Sequence, residues 1–223
     1  MSGPEALRPD EDLASAISGA SRTDAKRLAI IDAATQLFIA RGYDRTSMDE
    51  IAASAQVSKQ TVYKQFQDKP SLFREMVLGI TQRAEGIVEA ISAHFEGIDR
   101  AEELEEGLRG LARSYAGAVL APPVIRLRRL VISEADRFPD LARAYYVRAP
   151  GCGLDAVADG LRLLDRRSLL HVDDPPVAAG HFSYLVLGQL IDRKLFDPSD
   201  QITDTEIAEH SHGAVRVFIA AYR

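Results

Sequence analysis

The sequence predicts an all-α fold, with a small head of short helices followed by a larger helical body. Three observations carry that prediction. Apolar residues recur three and four apart through almost the whole chain, the spacing of one helix face. No stretch alternates apolar and polar residues as a half-buried strand would. Clusters of Gly, Pro and Asx punctuate the helical stretches, among them Pro122-Pro123, Pro150-Gly151, Asp174-Pro175-Pro176 and Asp197-Pro198.

Taken in order, residues 1–22 read as a flexible polar arm. A first helix is expected from Asp24 to Arg41, capped by Ser21 or Thr23. Ile30, Ala33, Ala34, Leu37 and Phe38 share one of its faces, and Gly42 supplies a left-handed stop. A short second helix, Met48 to Ala55, opens on an S-x-x-E capping box at Ser47 and Glu50. Gln56-Val57 is a turn, and Ser58 caps a third helix from Lys59 to Gln65. Asp68 caps a long fourth helix that takes Pro70 in its first turn and runs to His94. Body helices are expected at 100–120, 123–136, 139–149, 153–168, 175–196 and 203–222, with Asp174 as a cap before Pro175. The domains are then an arm at 1–22, a head at 23–72 and a body at 73–223.

Composition bounds the function. A charged fraction of 27% beside 46% hydrophobic residues excludes wholesale disorder. One Cys excludes an internal disulfide framework or a Cys-based zinc cluster. No apolar run approaches the ~20 residues that span a bilayer, so no membrane is expected. The acidic start lacks a basic-then-apolar leader, which predicts a cytoplasmic location. A net charge of −6 argues against a general nucleic-acid coat, but the charge is uneven: −3 over 1–21, +2 over 22–72 and −5 over 73–223. A positive island in an acidic chain fits a DNA-reading head on a body that does not touch DNA.

Residues 47–66 are the most informative segment. Ile51, Ala52, Val57, Val62 and Phe66 are spaced to pack inward, and small Ala52 permits close helix approach. The outward face of the third helix is then Lys59, Gln60, Thr61, Lys64 and Gln65, with Tyr63 at its edge. That is a helix-turn-helix arrangement, whose second helix enters the DNA major groove. Lys can donate to guanine, Gln can pair with adenine, and the Thr methyl can meet a thymine methyl. Thr46, Ser47, Tyr63 and Lys69 sit at helix ends or edges, where hydroxyl and ammonium groups reach phosphates. A solvated helical hairpin is the plainer reading of the same polar face.

The order of blocks then settles on a known pattern. An I-x-x-A-A-x-x-L-F run ends at Phe38. R-G-Y stands at Arg41 to Tyr43, T-S-M-D-E-I-A at Thr46 to Ala52, V-S-K-x-T-V-Y at Val57 to Tyr63, and F-x-D-K-x-x-L-F at Phe66 to Phe73. Residues 26–77 thereby resemble the DNA-binding domain of TetR-family transcriptional regulators. In that pattern Gly usually holds the turn where this chain has Gln56, a departure that costs on the order of 1 kcal/mol if the backbone there is left-handed. Residues 129–197 resemble the C-terminal domain of the AefR-like branch. The resemblance implies an all-helical effector-binding and dimerisation body, a homodimer whose last two long helices form a four-helix bundle, an operator of double-stranded DNA and a small-molecule effector. It implies a repressor more often than an activator.

By spacing, Val177, Phe182, Leu185, Gly188 and Leu195 make an apolar stripe on the penultimate helix. Ile207, Ala214, Val217, Phe218 and Ala221 make one on the last. Such stripes serve either a monomer core or an interface. A two-fold operator reader needs a two-fold protein, so Val177, Leu185, Gly188, Ile207, Ala214 and Phe218 are the interface candidates. Tyr115, Leu127, Val131, Tyr146, Phe182 and Leu185 are the candidates for lining an effector pocket, with plain core as the alternative.

Other features point away from chemistry. Gly151-Cys152-Gly153 lacks the strand, third Gly and acidic partner of a nucleotide loop and reads as a helix break. His210 and His212 are two apart and face different helix sides, so no metal is expected. Cys152 reads as packing, and Arg126, Arg128 and Arg129 as ion-pair partners of the acidic surface. With no G-x-S-x-G, P-loop or catalytic carboxylate pair, neither a cofactor nor an enzyme is expected. The rival reading is a small-molecule carrier or enzyme built on the body, with a vestigial head.

Overall fold

The structure, a computed structural model, describes the backbone of residues 10–81 and 85–223 and the side chains of residues 23–81 and 86–223. Every regular element among them is helical. The chain divides into two compact units, one up to Met76 and one from Val77.

The head contains α1 (Asp10–Arg41), α2 (Met48–Ser54), α3 (Lys59–Gln65) and the start of α4 (Lys69–Thr81). α1 begins at Asp10 rather than Asp24. No Pro interrupts that stretch, and Ala14, Ala16 and Ala20 favour helix, so Ser21 and Thr23 lie inside it rather than at its start. The arm expected at 1–22 is thus helical from Asp10, and its first nine residues lie outside the described ones. Gly42 ends α1 with φ 82°, and its N–H reaches the Phe38 carbonyl at 2.8 Å.

Phe38, Tyr43 and Phe73 form the aromatic centre of the head. Phe38 stacks on Tyr43 at 5.7 Å between ring centres, and Phe73 meets both edge-on at 5.3 and 5.0 Å. Ile30, Ile51, Val62, Leu72 and Met76 are fully buried around them. The capping box at α2 forms as expected: the Glu50 N–H donates to Ser47 Oγ at 3.2 Å, and the Ser47 N–H donates to Glu50 Oε2 at 2.8 Å. The Ser47 N–H and hydroxyl, both donating to the Glu50 carboxylate, with Arg41 alongside, hold that carboxyl below its ordinary pKa.

Between α2 and α3 the chain passes through the left-handed region at Gln56, φ 54°. The Gln56 N–H bonds to the Ala53 carbonyl and the Val57 N–H to the Ala52 carbonyl. That pair of bonds is a Schellman stop, which satisfies carbonyls the helix leaves open. The left-handed residue that this turn requires is therefore carried by a non-Gly side chain. Ser58 then caps α3, accepting from the Thr61 N–H at 3.1 Å, and Asp68 caps α4 through the Ser71 N–H at 2.8 Å.

The body comprises α5 (Glu85–Glu96), α6 (Leu104–Leu120), α7 (Pro122–Ser133), α8 (Pro139–Tyr146), α9 (Cys152–Arg166), α10 (Pro175–Phe196) and α11 (Asp204–Tyr222). The fourth helix expected from Asp68 to His94 corresponds to α4 and α5, and residues 82–84 between them lie outside the described ones. The break expected at Pro150-Gly151 does not occur. Val147–Gly151 is a π-helical turn that carries α8 into α9, and Gly151 keeps an ordinary helical φ of −61°. The wider π turn accommodates a proline that lacks an N–H.

α5 and α9, α9 and α10, and α6 and α11 are the main packed pairs of the body. Phe95, Leu108, Val157, Leu161, Phe182 and Phe218 are fully buried in one continuous core. Asp174 caps α10 through the Val177 N–H at 3.1 Å, and α9 ends in a second Schellman stop at Ser168, φ 56°.

Two expected outcomes test this packing. A methyl built on Gly160 of α9 overlaps the buried Phe95 ring of α5. Gly160→Ala should therefore destabilise the protein by about 1–3 kcal/mol in urea melts; wild-type stability would show that the ring has room to move. Gln56→Gly should raise the free energy of unfolding by about 0.5–1 kcal/mol, read as a higher urea midpoint, because the side chain is exposed and only the left-handed strain is lost. A lowered midpoint would mean that Gln56 contributes contacts that outweigh the strain.

Candidate functional site

α3 has seven residues, of which Val62 alone is buried. Arg27 of α1 braces its C-terminal end. The guanidinium lies 4.5 Å from the Phe66 ring centre, donates to the Gln65 carbonyl at 3.1 Å and pairs with Glu75 of α4. With Val62 turned inward, Lys59, Gln60, Tyr63 and Lys64 all face solvent, and Tyr63 is 52% exposed. Thr61 is half-buried, its hydroxyl 2.8 Å from Ser58 Oγ. Ser47 is exposed at the start of α2.

The structure changes three details of the expected surface. Thr46 is only 1% exposed, and its hydroxyl donates to the Gly42 carbonyl at 3.0 Å, so it locks the α1–α2 turn and does not face a partner. A threonine beside a capped helix looks the same in sequence whether it faces in or out. Lys69 is half-buried, its ammonium 4.2 Å from the Tyr43 ring centre. Lys59 pairs with Asp49 of α2 at 2.5 Å, an acid that the sequence of α3 by itself could not reveal. Lys64 and Gln60 make no ion pair or hydrogen bond among the described residues. Sequence reasoning missed two residues here. Arg27 was hidden by its distance of 38 positions from Gln65. Arg45 is exposed in the α1–α2 turn, beside the buried Thr46.

The body holds a cavity of about 340 Å³. Of the six residues expected to line it, Tyr115 and Tyr146 do. Leu127, Val131 and Phe182 are buried away from it, and Leu185 is half-buried outside it. Gly188, an interface candidate, lines the cavity instead. The other lining residues of chemical interest, Arg128, Tyr145, Ser183, Tyr184 and Asp192, were not singled out for it. Ile207, Ala214 and Phe218 are buried within the single chain, so they are core rather than interface. Val177 remains exposed, as does Val217 of the α11 stripe, and the structure adds Tyr184 as an exposed position on α10.

Arg129 donates to the Leu195 carbonyl at the end of α10 rather than to the acidic surface. His210 meets the Leu185 carbonyl at 2.9 Å, and His212 lies against Arg109, so the two histidines have separate partners. Cys152 Sγ is 3.4 Å from the Val147 carbonyl. No helix among the described residues is long and apolar enough to cross a membrane.

Comparison with known proteins agrees with this geometry. Residues 30–76 match the family described as bacterial regulatory proteins of the tetR family, and residues 106–223 match the C-terminal domain of AefR-like transcriptional repressors. A solved TetR-family transcriptional regulator of Mesorhizobium loti is 37% identical, with a TM-score of 0.82 over 90% of this chain and 98% of that one. The flavonoid-responsive regulator FrrA is 29% identical, with a TM-score of 0.69 over 89% of this chain and 97% of that one. The DNA-binding transcriptional repressor TetR of Mycobacteroides abscessus is 39% identical over 54 residues, 24% of this chain. The biofilm-operon regulator IcaR of Staphylococcus aureus is 42% identical over 48 residues, 22% of this chain. These matches span 28% and 26% of those two curated relatives. An exposed, acid-poor α3 over a buried helix-turn-helix core, an all-helical body and both family matches lead to one conclusion: the chain belongs to the TetR family of transcriptional regulators, with an AefR-like C-terminal domain.

Proposed function

We propose that the chain acts as a homodimeric repressor that leaves a palindromic operator when a small molecule fills the body cavity. One observation carries the DNA-reading half: α3 buries Val62 and turns Gln60, Tyr63 and Lys64 to solvent. Gln60, Thr61 and Lys64 read base edges in the major groove. Ser47, Tyr63, Arg45 and Lys69 hold phosphates, and Lys59 joins them once DNA competes with Asp49. Two copies of α3 must then sit about 34–36 Å apart to engage both half-sites.

The dimer uses the outer faces of α10 and α11, around Val177, Tyr184 and Val217, which are exposed and apolar. The flavonoid response of FrrA, a structural neighbour, supports a body of this kind answering a small molecule. The effector acts only if it binds the DNA-competent and DNA-incompetent shapes unequally. The protein works in the cytoplasm, where its operator is. Membership of a regulator family weighs against the rival reading of a carrier or enzyme.

Lys64→Ala tests the interface. Its operator is first selected from a random duplex pool, and binding is then read by fluorescence anisotropy at several salt concentrations. The variant should lose at least tenfold in affinity, since each of the two protomers gives up a base contact worth roughly 1–3 kcal/mol. If Lys64 instead holds a phosphate, the slope of log K against log salt falls by about 0.9 per protomer, about 1.8 for the dimer. Unchanged affinity and slope would remove Lys64 from the interface.

A further inference from the structure

The cavity wall is mainly apolar, formed by residues such as Ile87, Val119, Leu154, Leu187 and Ile191. Three polar groups interrupt it. Arg128 of α7 is half-buried and has no ion pair or hydrogen bond among the described residues. Ser183 of α10 is 3% exposed, and its hydroxyl has no hydrogen-bond partner among the described residues. The Tyr115 phenol lies beside both. Burial pushes its pKa up, and Ser183 and then Arg128 pull it back. The Ser183 hydroxyl is thus close enough to the Tyr115 phenol to act on it.

These groups are costly as they stand. A buried hydroxyl without a partner is destabilising, and a half-buried guanidinium facing an apolar wall loses part of its hydration with nothing in return. A guanidinium is a rigid fork that suits a carboxylate in two parallel bonds. A neutral ligand would leave the Arg128 charge unpaired against an apolar wall, and a cation would be repelled by it. The cavity's one carboxylate, Asp192, is exposed, so solvent screens its field more than that of half-buried Arg128.

We infer that the effector is a compact organic acid, with an apolar body of ring size in the cavity and its carboxylate at the Arg128 guanidinium, beside the Ser183 and Tyr115 hydroxyls. The inference rests on the body being the effector domain and names the class of molecule that domain takes. A volume of about 340 Å³ lies at the small end of ligand pockets, which run from ~300 to 1,000 Å³, and so favours one or two rings over a long chain. The π turn belongs to the same design. It carries Ala149 and Pro150 to the wall between Tyr146 of α8 and Leu154 of α9.

The test compares 2-naphthoate with its neutral counterpart 2-naphthamide on the full-length protein. The chain has no Trp, so naphthalene fluorescence reports binding directly. The acid should bind about tenfold tighter or more, the worth of one charge-assisted pair. Arg128→Gln should bring the ratio close to one, and Arg128→Lys should keep part of it. Circular dichroism melts of each variant check its fold, and the wild-type ratio stands on its own if Arg128→Gln unfolds. Equal binding of the two probes, binding of neither, or a preference that survives in folded Arg128→Gln would each overturn the inference. Such a failure beside intact operator binding by the ligand-free protein overturns only the ligand class. Loss of operator binding beside a retained acid preference overturns the regulator reading instead.

Discussion

Everything the head does depends on the burial of one side chain. A helix of seven residues is unstable by itself in water, because nucleation costs more than so few hydrogen bonds return. α3 persists because Val62 is fully buried against α2, Ser58 caps its start and Phe66 closes its end. Arg27 reaches from α1 to fix the Gln65 carbonyl. Each of these anchors lies inward or at an end, which leaves Gln60, Tyr63 and Lys64 on the outward face without a part in holding the helix. That is the physical reason Gln60, Tyr63 and Lys64 can be polar and available.

The head was legible in the sequence because its devices are local. Capping at Ser47, Ser58 and Asp68 involves partners three residues away, and the left-handed positions at Gly42 and Gln56 follow from where helices must stop. The body was legible as helices and less so as a site. Periodicity says that Leu127, Val131 and Phe182 face inward, and they do, but it cannot say whether inward means core or cavity. The start of α1 was misplaced because Ser21 and Thr23 look like caps, although the alanine-rich residues before them also favour helix. Arg128 was grouped with its neighbours as a surface charge, since spacing does not reveal which of three clustered arginines turns in.

Three of the six interface candidates proved to be core for a related reason. A stripe on a helix has two flanks. On α11, Ile207, Ala214 and Phe218 fill the chain's own core, where Phe218 meets Phe182 edge-on at 5.2 Å between ring centres. Val217, one residue from Phe218, stays exposed. A step of one residue turns a helix position by about 100°. The sequence stripe therefore merged a core flank with a solvent flank. An apolar contact across a two-fold axis needs the solvent flank, because residues already packed within one chain have no surface left to offer.

The cavity and the ends of α7 and α10 are tied by consecutive arginines. Arg128 lines the cavity, while Arg129 fastens α7 to the Leu195 carbonyl, one of the last carbonyls of α10 and short of an intrahelical partner. α10 itself lines the same cavity through Ser183, Leu187 and Ile191. An acid held by Arg128 would thus press on two helices that are already joined at one point. A ligand that met only the apolar wall would add packing without drawing Arg128 to a new position. Under the proposed reading, it is the charge at Arg128 that would make one arrangement of these helices bind better than another, and unequal binding is the requirement for any shift at all.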